Sequence, residues 1–344
     1  MTEQTPTAAP APADGARHVV VATHGYCFDG LCSAVMFTRL LNHVHAGEKL
    51  RWTYYSAGYG PGQNGVDPAV LSGDENAILD FRFSSSPKLT WYFDHHVSAF
   101  PTAGDRASYD ARVAKESGGG GEFRRTFHDG AYTSCTKLIA DLGPRYFGLD
   151  SAPMAELVRW ADMIDSAAFP NAEMAVARRE PELALMTVVE NLGDAAFLAE
   201  YVPRLLVEPL GEVARSRAVQ EAFEPLKATH EAFVDKVKHH AVVRGPVVFV
   251  DLSADLVETA GKFVTYALYP KSAYSVTLTR SKSKCKISVG YNPWSGVTRT
   301  HDIAAICGRF GGGGHPVVGA VALPVTDVDA ARRVALEIVT ELGT

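Results

Sequence analysis

Three apolar runs early in the chain stop abruptly at ionisable side chains. HVVVA (18–22) runs into THGYCFDG, AIL (77–79) runs into Asp80, and WYF (91–93) runs into Asp94, His95 and His96. β-Branched and aromatic residues favour a half-buried strand, whereas an aspartate is costly to bury without a partner. Each run therefore reads as a strand whose C-terminal end delivers ionisable groups to a site. After HVVVA, the residues Phe37, Leu40, Leu41 and Val44 recur at helical spacing. Strand-like runs follow at 50–57, 76–83 and 89–93, separated by loops rich in Gly and Pro such as GYGPGQNG (58–65). Alternating strands and helices mean a mostly parallel sheet with helices on its faces. Ligands of such sheets bind outside the carboxyl ends of the strands, and that is where HGYCFDG, LDF and DHH fall.

Further along, residues 104–122 read as a long polar loop ending in SGGGGE, and helical patterns dominate from about 132 to 239. From 246 strands return as PVVFVDL, AYSVTLTR, CKISVGY and GAVALP, before a last helix over 327–342. The expected fold class is α/β. A mostly parallel sheet flanked by helices (17–185) precedes a helical linker (186–240) and a smaller α/β domain (241–344), with a disordered tail over 1–16. A length of 344 residues suits two cores. The net charge of −6 offers no basic field for tight nonspecific duplex binding; a short anionic substrate in a locally basic cleft stays open. The five cysteines form no CxxC pair, which excludes a disulfide framework or zinc ribbon. The Ala/Pro-rich N-terminus reads as no export signal, and no apolar run approaches the roughly 20 residues that span a bilayer. A cytoplasmic protein without a membrane partner is expected; a homodimer is left open.

Six constellations carry chemistry. His24 and Asp29, five apart in a strand-to-helix loop with Gly30 for the turn, could face one metal or belong to an ordinary loop. Asp80 either joins them or caps a turn. In DHH, carboxylate and neutral imidazole form the usual donor set for Mn²⁺, Mg²⁺, Fe or Zn²⁺. In PMAELVRWADMIDSAAF, Met154, Leu157, Val158 and Ala161 form one apolar stripe whose continuation lands on Asp165. Its carboxylate then lies in the buried face and needs a cation, unless the helix ends first. Asp162 lies about 60° off the stripe at roughly 100° per residue, and fits better as outer support. In GRFGGGGHPVVGA, the amides of Gly311–Gly314 before His315 would cradle a phosphate or carboxylate, while the other glycine run, in SGGGGE, reads as a flexible linker. In TRSKSKCK, Arg280, Lys282, Lys284 and Lys286 at period two would share one strand face. That row is either a phosphate contact beside the glycine loop, led by Arg280, or a charged edge opposing aggregation. No GxSxG elbow for a serine nucleophile is present.

Taken together and in this order, HGYCFDG, LDF, DHH, the ADMIDSAAF helix and GGGGH resemble the DHH phosphoesterase family. This family includes RecJ-type exonucleases, nanoRNA and linear-dinucleotide phosphodiesterases, and exopolyphosphatases. The resemblance covers nearly the whole chain from about residue 18. It implies a catalytic domain and a smaller DHH-associated substrate-binding domain, with the active site in the cleft between them. It also implies a ligand set of His24, Asp29, Asp80, His95 and Asp165 (followed by Phe169, as the family's fourth motif commonly is). Asp80 would bridge two divalent ions, Mn²⁺ first among them. His96 would face the scissile phosphate, Asp94 would orient the imidazoles, and Gly312, Gly313, Gly314 and His315 would bind the phosphate or nucleotide. The implied activity is hydrolysis of a phosphodiester or phosphoanhydride bond by metal-activated water. Its substrate would be a small nucleotide, a short single-stranded oligonucleotide or polyphosphate. In one departure, Cys27 stands where many members carry the first aspartate of HxxxDxD. A thiolate is soft and favours Zn²⁺ over Mn²⁺, whereas a neutral thiol leaves a site one ligand short, so the centre would hold two ions or one. Cys27 also keeps open the alternative of a non-catalytic nucleotide-binding regulator.

Overall fold

A computed structural model describes residues 15–59, 65–118, 124–257, 261 and 263–344. The tail over 1–14, residues 60–64 of the GYGPGQNG loop and residues 119–122 of SGGGGE lie outside the described residues. In chain order the first elements are β1 (Arg17–His24), α1 (Phe28–Val44), β2 (Leu50–Ala57), β3 (Glu75–Leu79), β4 (Trp91–Asp94), α2 (Ala103–Gly118), β5 (Thr126–His128), α3 (Cys135–Phe147) and α4 (Ala155–Asp165). Helices α5 (Ala172–Ala177), α6 (Pro181–Leu192), α7 (Ala195–Val207), α8 (Leu210–Arg215) and α9 (Arg217–His240) follow. The last third holds β6 (Ala241–Arg244), β7 (Val247–Leu256), α10 (Val264–Leu268), β8 (Tyr274–Arg280), β9 (Lys284–Tyr291), α11 (Ile303–Arg309), β10 (Gly313–His315), β11 (Val318–Pro324) and α12 (Val328–Leu342). Two compact units result: Met1–Ala168 with Pro181–Phe223, and Phe169–Glu180 with Glu224–Thr344. No helix of the described residues is long and apolar enough to cross a membrane.

The first unit is the expected α/β arrangement. Its five strands run in the order β2-β1-β3-β4-β5, and every neighbouring pair is parallel. All residues of β3 and β4 are buried, as befits central strands covered on both faces. Trp91 meets Phe37 of α1 edge-on at 5.7 Å, and Phe93 stacks on Phe127 of β5 at 5.1 Å. Helix α7 packs against α1 and β2. The strand order reverses between β1 and β3, since β1 leads through α1 to one side and the chain then crosses to the other. The carboxyl ends of β1 and β3 therefore border the crevice where such sheets bind ligands.

Residues 103–118 form helix α2, where a polar loop was expected. Thr102 donates through N and Oγ1 to Asp105 Oδ2 at 3.0 and 2.7 Å, and the Asp105 amide donates back to Thr102 Oγ1 at 3.1 Å. This reciprocal bonding satisfies the helix start. Arg106–Asp110 and Arg112–Glu116 add i,i+4 pairs. Among the described residues Tyr109 and Val113 anchor the helix in an apolar cluster, so its sequence shows a thin stripe.

In the second unit, the sheet order is β10-β11-β9-β8-β7-β6, and β7–β8 is its parallel pair among antiparallel ones. Helix α12 buries Ala331, Ala335, Ile338, Val339 and Leu342 in its core. The TRSKSKCK segment is a hairpin and not one strand. Ser281 N donates to Lys284 O at 2.9 Å, which closes the turn that holds Lys282. Arg280 pairs with Cys285, while Lys286 pairs with Thr279. Paired residues share a face, so Arg280 lies on the face opposite Lys284 and Lys286, and the single row of cations does not form. Arg280 is not beside the glycine run either. Cys285, its partner, pairs with Leu323, whereas Gly313 pairs with Ala320, three residues away along β11 (roughly 10 Å).

Gly30 fixes how α1 leaves β1. A Cβ there would lie 2.0 Å from the His24 carbonyl oxygen, and Thr23 Oγ1 donates to the Gly30 carbonyl at 2.8 Å. Gly30→Ala is expected to destabilise the protein by about 1–3 kcal/mol or more through overpacking, read as a lower urea midpoint at an unchanged slope.

Candidate metal centre

The carboxyl ends of β1, β3 and β4 and the last turn of α4 bring their ionisable side chains to one place. His24 closes β1, with Nδ1 3.6 Å from Asp80 Oδ2. Asp80 follows β3 in the left-handed region at φ 52°, a conformation aspartate tolerates better than most residues. Its amide donates to the Phe93 carbonyl at 3.0 Å, which ties the kink to β4. His95 follows β4, and its Nε2 lies 3.4 Å from Asp80 Oδ1, 3.4 Å from Asp165 Oδ2 and 3.9 Å from Asp29 Oδ2. Asp29, in the first turn of α1, accepts the amides of Cys135 and Thr136 at 2.7 and 3.1 Å. Those amides open α3, and a helix N-terminus offers both spare donors and a positive dipole end.

The stripe on α4 needs one correction. The helix ends at Asp165, so that residue as a whole is exposed instead of continuing a buried face. Its carboxylate nevertheless turns inward, with the side chain 26% exposed. Three overlapping sets of donor atoms result, each set within 4.8 Å: His24–Cys27–Asp80, Asp80–His95–His96 and Asp29–His95–Asp165. All five residues implied as ligands are thus gathered, and Cys27 and His96 stand with them.

Two buried atoms in this cluster, Asp80 Oδ1 and His95 Nε2, have no hydrogen-bond partner. His95 Nδ1 faces the Tyr132 carbonyl at 3.2 Å, a place for an N–H donor. That leaves the Nε2 lone pair aimed at three carboxylates. Lone pair and carboxylates repel, so a proton or a cation has to sit among them. The electrostatics of the cluster point the same way. Burial, then the charges of Asp80 and Asp165, raise the Asp29 carboxyl well above the usual range. Burial and then Asp80 raise Asp165. Burial would raise Asp80 too, but the imidazoles of His24, His95 and His96 hold it down at about 2. Burial works against a charged His95, yet Asp80, Asp29 and Asp165 together raise it. Carboxylates and imidazoles in this arrangement fit a divalent cation that would displace those protons. Cys27 Sγ lies 3.7 Å from Asp80 Oδ2, and burial with the Asp80 and Asp29 charges pushes its thiol up.

Neighbouring groups set the orientations. Asp94, fully buried, accepts His96 Nδ1 at 2.8 Å on one oxygen and the Tyr92 hydroxyl at 3.0 Å on the other. His128 Nε2 meets the His96 carbonyl at 2.8 Å. Asp162 is no donor to the cluster: it accepts Thr133 Oγ1 at 2.5 Å and Ser134 Oγ at 3.1 Å. It thereby holds the segment between the Tyr132 carbonyl and the start of α3. The roles of Tyr92, His128 and Tyr132 escaped the sequence reading. His128 ends strand β5 in TFHD and carries the same strand-end signal as DHH, whereas a backbone carbonyl such as that of Tyr132 leaves no signal. Arg280 and Gly312–His315 belong to the second unit, where Arg280 Nη2 donates to the Ala254 carbonyl at 3.0 Å.

In thermal melts, excess Mn²⁺ is expected to stabilise the protein, by about 2.7 kcal/mol at roughly 100 times Kd. Asp80→Asn is expected to stay folded and to lose that increment.

No protein-family model matches the chain, and no curated protein matches its sequence. Solved structures do. The pGpG-specific phosphodiesterase PggH from Vibrio cholerae superimposes with a TM-score of 0.62 at 16% identity, over 95% of this chain and 98% of that one. RecJ in complex with Mn²⁺ from Thermus thermophilus superimposes with a TM-score of 0.53 at 13% identity, over 94% of this chain. The chain spans about half of RecJ, 52% of its length. At such identities the likeness is one of fold, and the chain has the fold that PggH shares with the matching part of RecJ.

Proposed function

We propose that the chain is a DHH-type phosphoesterase, a metal-dependent hydrolase of phosphodiester bonds in a small nucleotide or short single-stranded oligonucleotide. The observation that carries this reading is the convergence of Asp29, Asp80, Asp165, His24 and His95 around two buried atoms, Asp80 Oδ1 and His95 Nε2, that lack a hydrogen-bond partner. The fold shared with a pGpG-specific phosphodiesterase over nearly the full length of both chains supports a linear dinucleotide as the first substrate to test, ahead of polyphosphate. The RecJ match, solved with Mn²⁺, supports a divalent cation.

In this reading Asp29, Asp80, His24, His95 and Asp165 hold the cations, and Asp80, central to the cluster, is the shared donor. Divalent cations bound there supply activated water and neutralise charge on the phosphoryl oxygens. His96 receives its orientation from Asp94, which accepts the Nδ1–H hydrogen bond and raises the imidazole's pKa, so that the protonated ring would donate its Nε2–H to a phosphoryl oxygen. The Tyr92 hydroxyl occupies the other Asp94 oxygen and keeps that carboxylate from rotating. In the second unit, Gly313, Gly314 and His315 are exposed and would take a phosphate with Gly312, whose own amide is held by the Cys307 carbonyl at 2.9 Å. Gly311 and Gly314 have φ of 75° and 154°, and a Cβ on Gly312 would strike the Ala320 carbonyl oxygen. At Gly313 a Cβ would meet open space, so a glycine there has no packing reason and suits close approach by a ligand.

The test is a panel of pGpG, short oligoribonucleotides and polyphosphate under Mn²⁺, Mg²⁺, Co²⁺ and Zn²⁺, with Asp80→Ala as the blank. Mononucleotide release from pGpG that the blank lacks is expected. Dinucleotide binding without product under every metal would overturn the enzyme reading in favour of a regulator. Asp94→Asn, which presents the wrong partner to His96, is expected to lower kcat by roughly 10–100-fold, with the far-UV spectrum unchanged.

A further inference from the structure

We propose that Cys27 is itself a metal ligand, which makes the centre chemically asymmetric. His24, Cys27 and Asp80 would form a sulfur-containing position for a borderline-soft cation such as Zn²⁺. Asp29, Asp80, His95 and Asp165 would form a harder position, suited to Mn²⁺ or Mg²⁺. The inference rests on the metal centre of the proposed function and specifies what each half of it binds.

Two observations carry it. Cys27 Sγ, a His24 imidazole nitrogen and an Asp80 carboxylate oxygen lie within 4.8 Å of one another, and Asp80 Oδ1, buried and without a hydrogen-bond partner, belongs to the same carboxylate. The backbone holds the thiol in place. Gly25 N donates to the Ala57 carbonyl at 2.7 Å and Tyr26 N to the Gly193 carbonyl at 3.1 Å. Tyr26 itself takes φ 54°, and a Cβ on Gly25 would come within 1.8 Å of Ser56 Oγ. This clamped turn commits His24 and Cys27 to the same side. A thiol that merely hydrogen-bonds Asp80 is the competing account, and serine would serve that purpose equally.

Optical titration of the metal-free, reduced full-length protein with Co²⁺ separates these accounts without any substrate. A near-ultraviolet sulfur-to-cobalt charge-transfer band is expected in the unaltered protein. It should be lost in Cys27→Ser and Cys27→Asp, with folding checked by circular dichroism. After equilibration with equimolar Zn²⁺ and Mn²⁺, metal analysis should find both ions in the unaltered protein and a shift towards Mn²⁺ in Cys27→Asp. Cobalt binding with visible ligand-field bands and no charge-transfer band overturns the role of Cys27 while leaving the hydrolase reading intact. Absence of any cobalt binding removes the metal centre itself, and both readings with it.

Discussion

Three carboxylates, those of Asp29, Asp80 and Asp165, face one imidazole nitrogen of His95, and much of the first unit holds them there against their mutual repulsion. Two unit charges about 4 Å apart interact by about 4 kcal/mol at an effective dielectric of about 20. That is a large share of the roughly 5–15 kcal/mol by which a domain is stable. Each carboxylate therefore needs an anchor of its own. Asp29 has the amides that open α3, and Asp80 has a left-handed kink tied to β4. Asp165 has the end of α4, where the residue meets solvent. The anchors fix position without neutralising charge, and neutralisation is left to protons or cations.

Why residues so distant in sequence meet follows from sheet topology. In the order β2-β1-β3-β4-β5 the strands are parallel, so all their carboxyl ends lie along one edge. β1 and β3 are neighbours on either side of the point where the order reverses, and they deliver His24 and Asp80 side by side. β4, next in order, delivers DHH. Helices that follow parallel strands start on that same edge, which puts the N-termini of α1 and α3 there too. The gathering of these residues is a consequence of the connectivity.

What the sequence made legible follows the same physics. Strands buried on both faces read as unbroken apolar runs, so the parallel sheet and the outward turn at His24, Asp80 and Asp94 could be read directly. Helix α2 could not, because its stability comes from a reciprocal Thr102–Asp105 cap and i,i+4 ion pairs around only two apolar anchors. The cations of TRSKSKCK were misplaced because period-two spacing assumes one strand, and a three-residue turn resets the alternation. The stripe on α4 reaches the helix's last residue, Asp165, and the residue meets solvent because the helix stops there, which no residue type announces. Orienting contacts through backbone carbonyls, such as Tyr132 to His95, are invisible in any sequence.

A helix start also explains how one short motif serves both sides of the centre. Cys27, the N-cap residue, has extended backbone (φ −129°, ψ 132°), whereas Asp29 lies in the first helical turn, so the two side chains leave the chain from different conformations. Accordingly Cys27 falls with His24 and Asp29 with His95 and Asp165, with Asp80 common to both neighbourhoods. A substitution at 27 thus changes the hardness of one side while the amide-anchored Asp29 keeps the other as it is. The spacing of HGYCFDG lets the two halves of the centre differ in chemistry although they share a carboxylate.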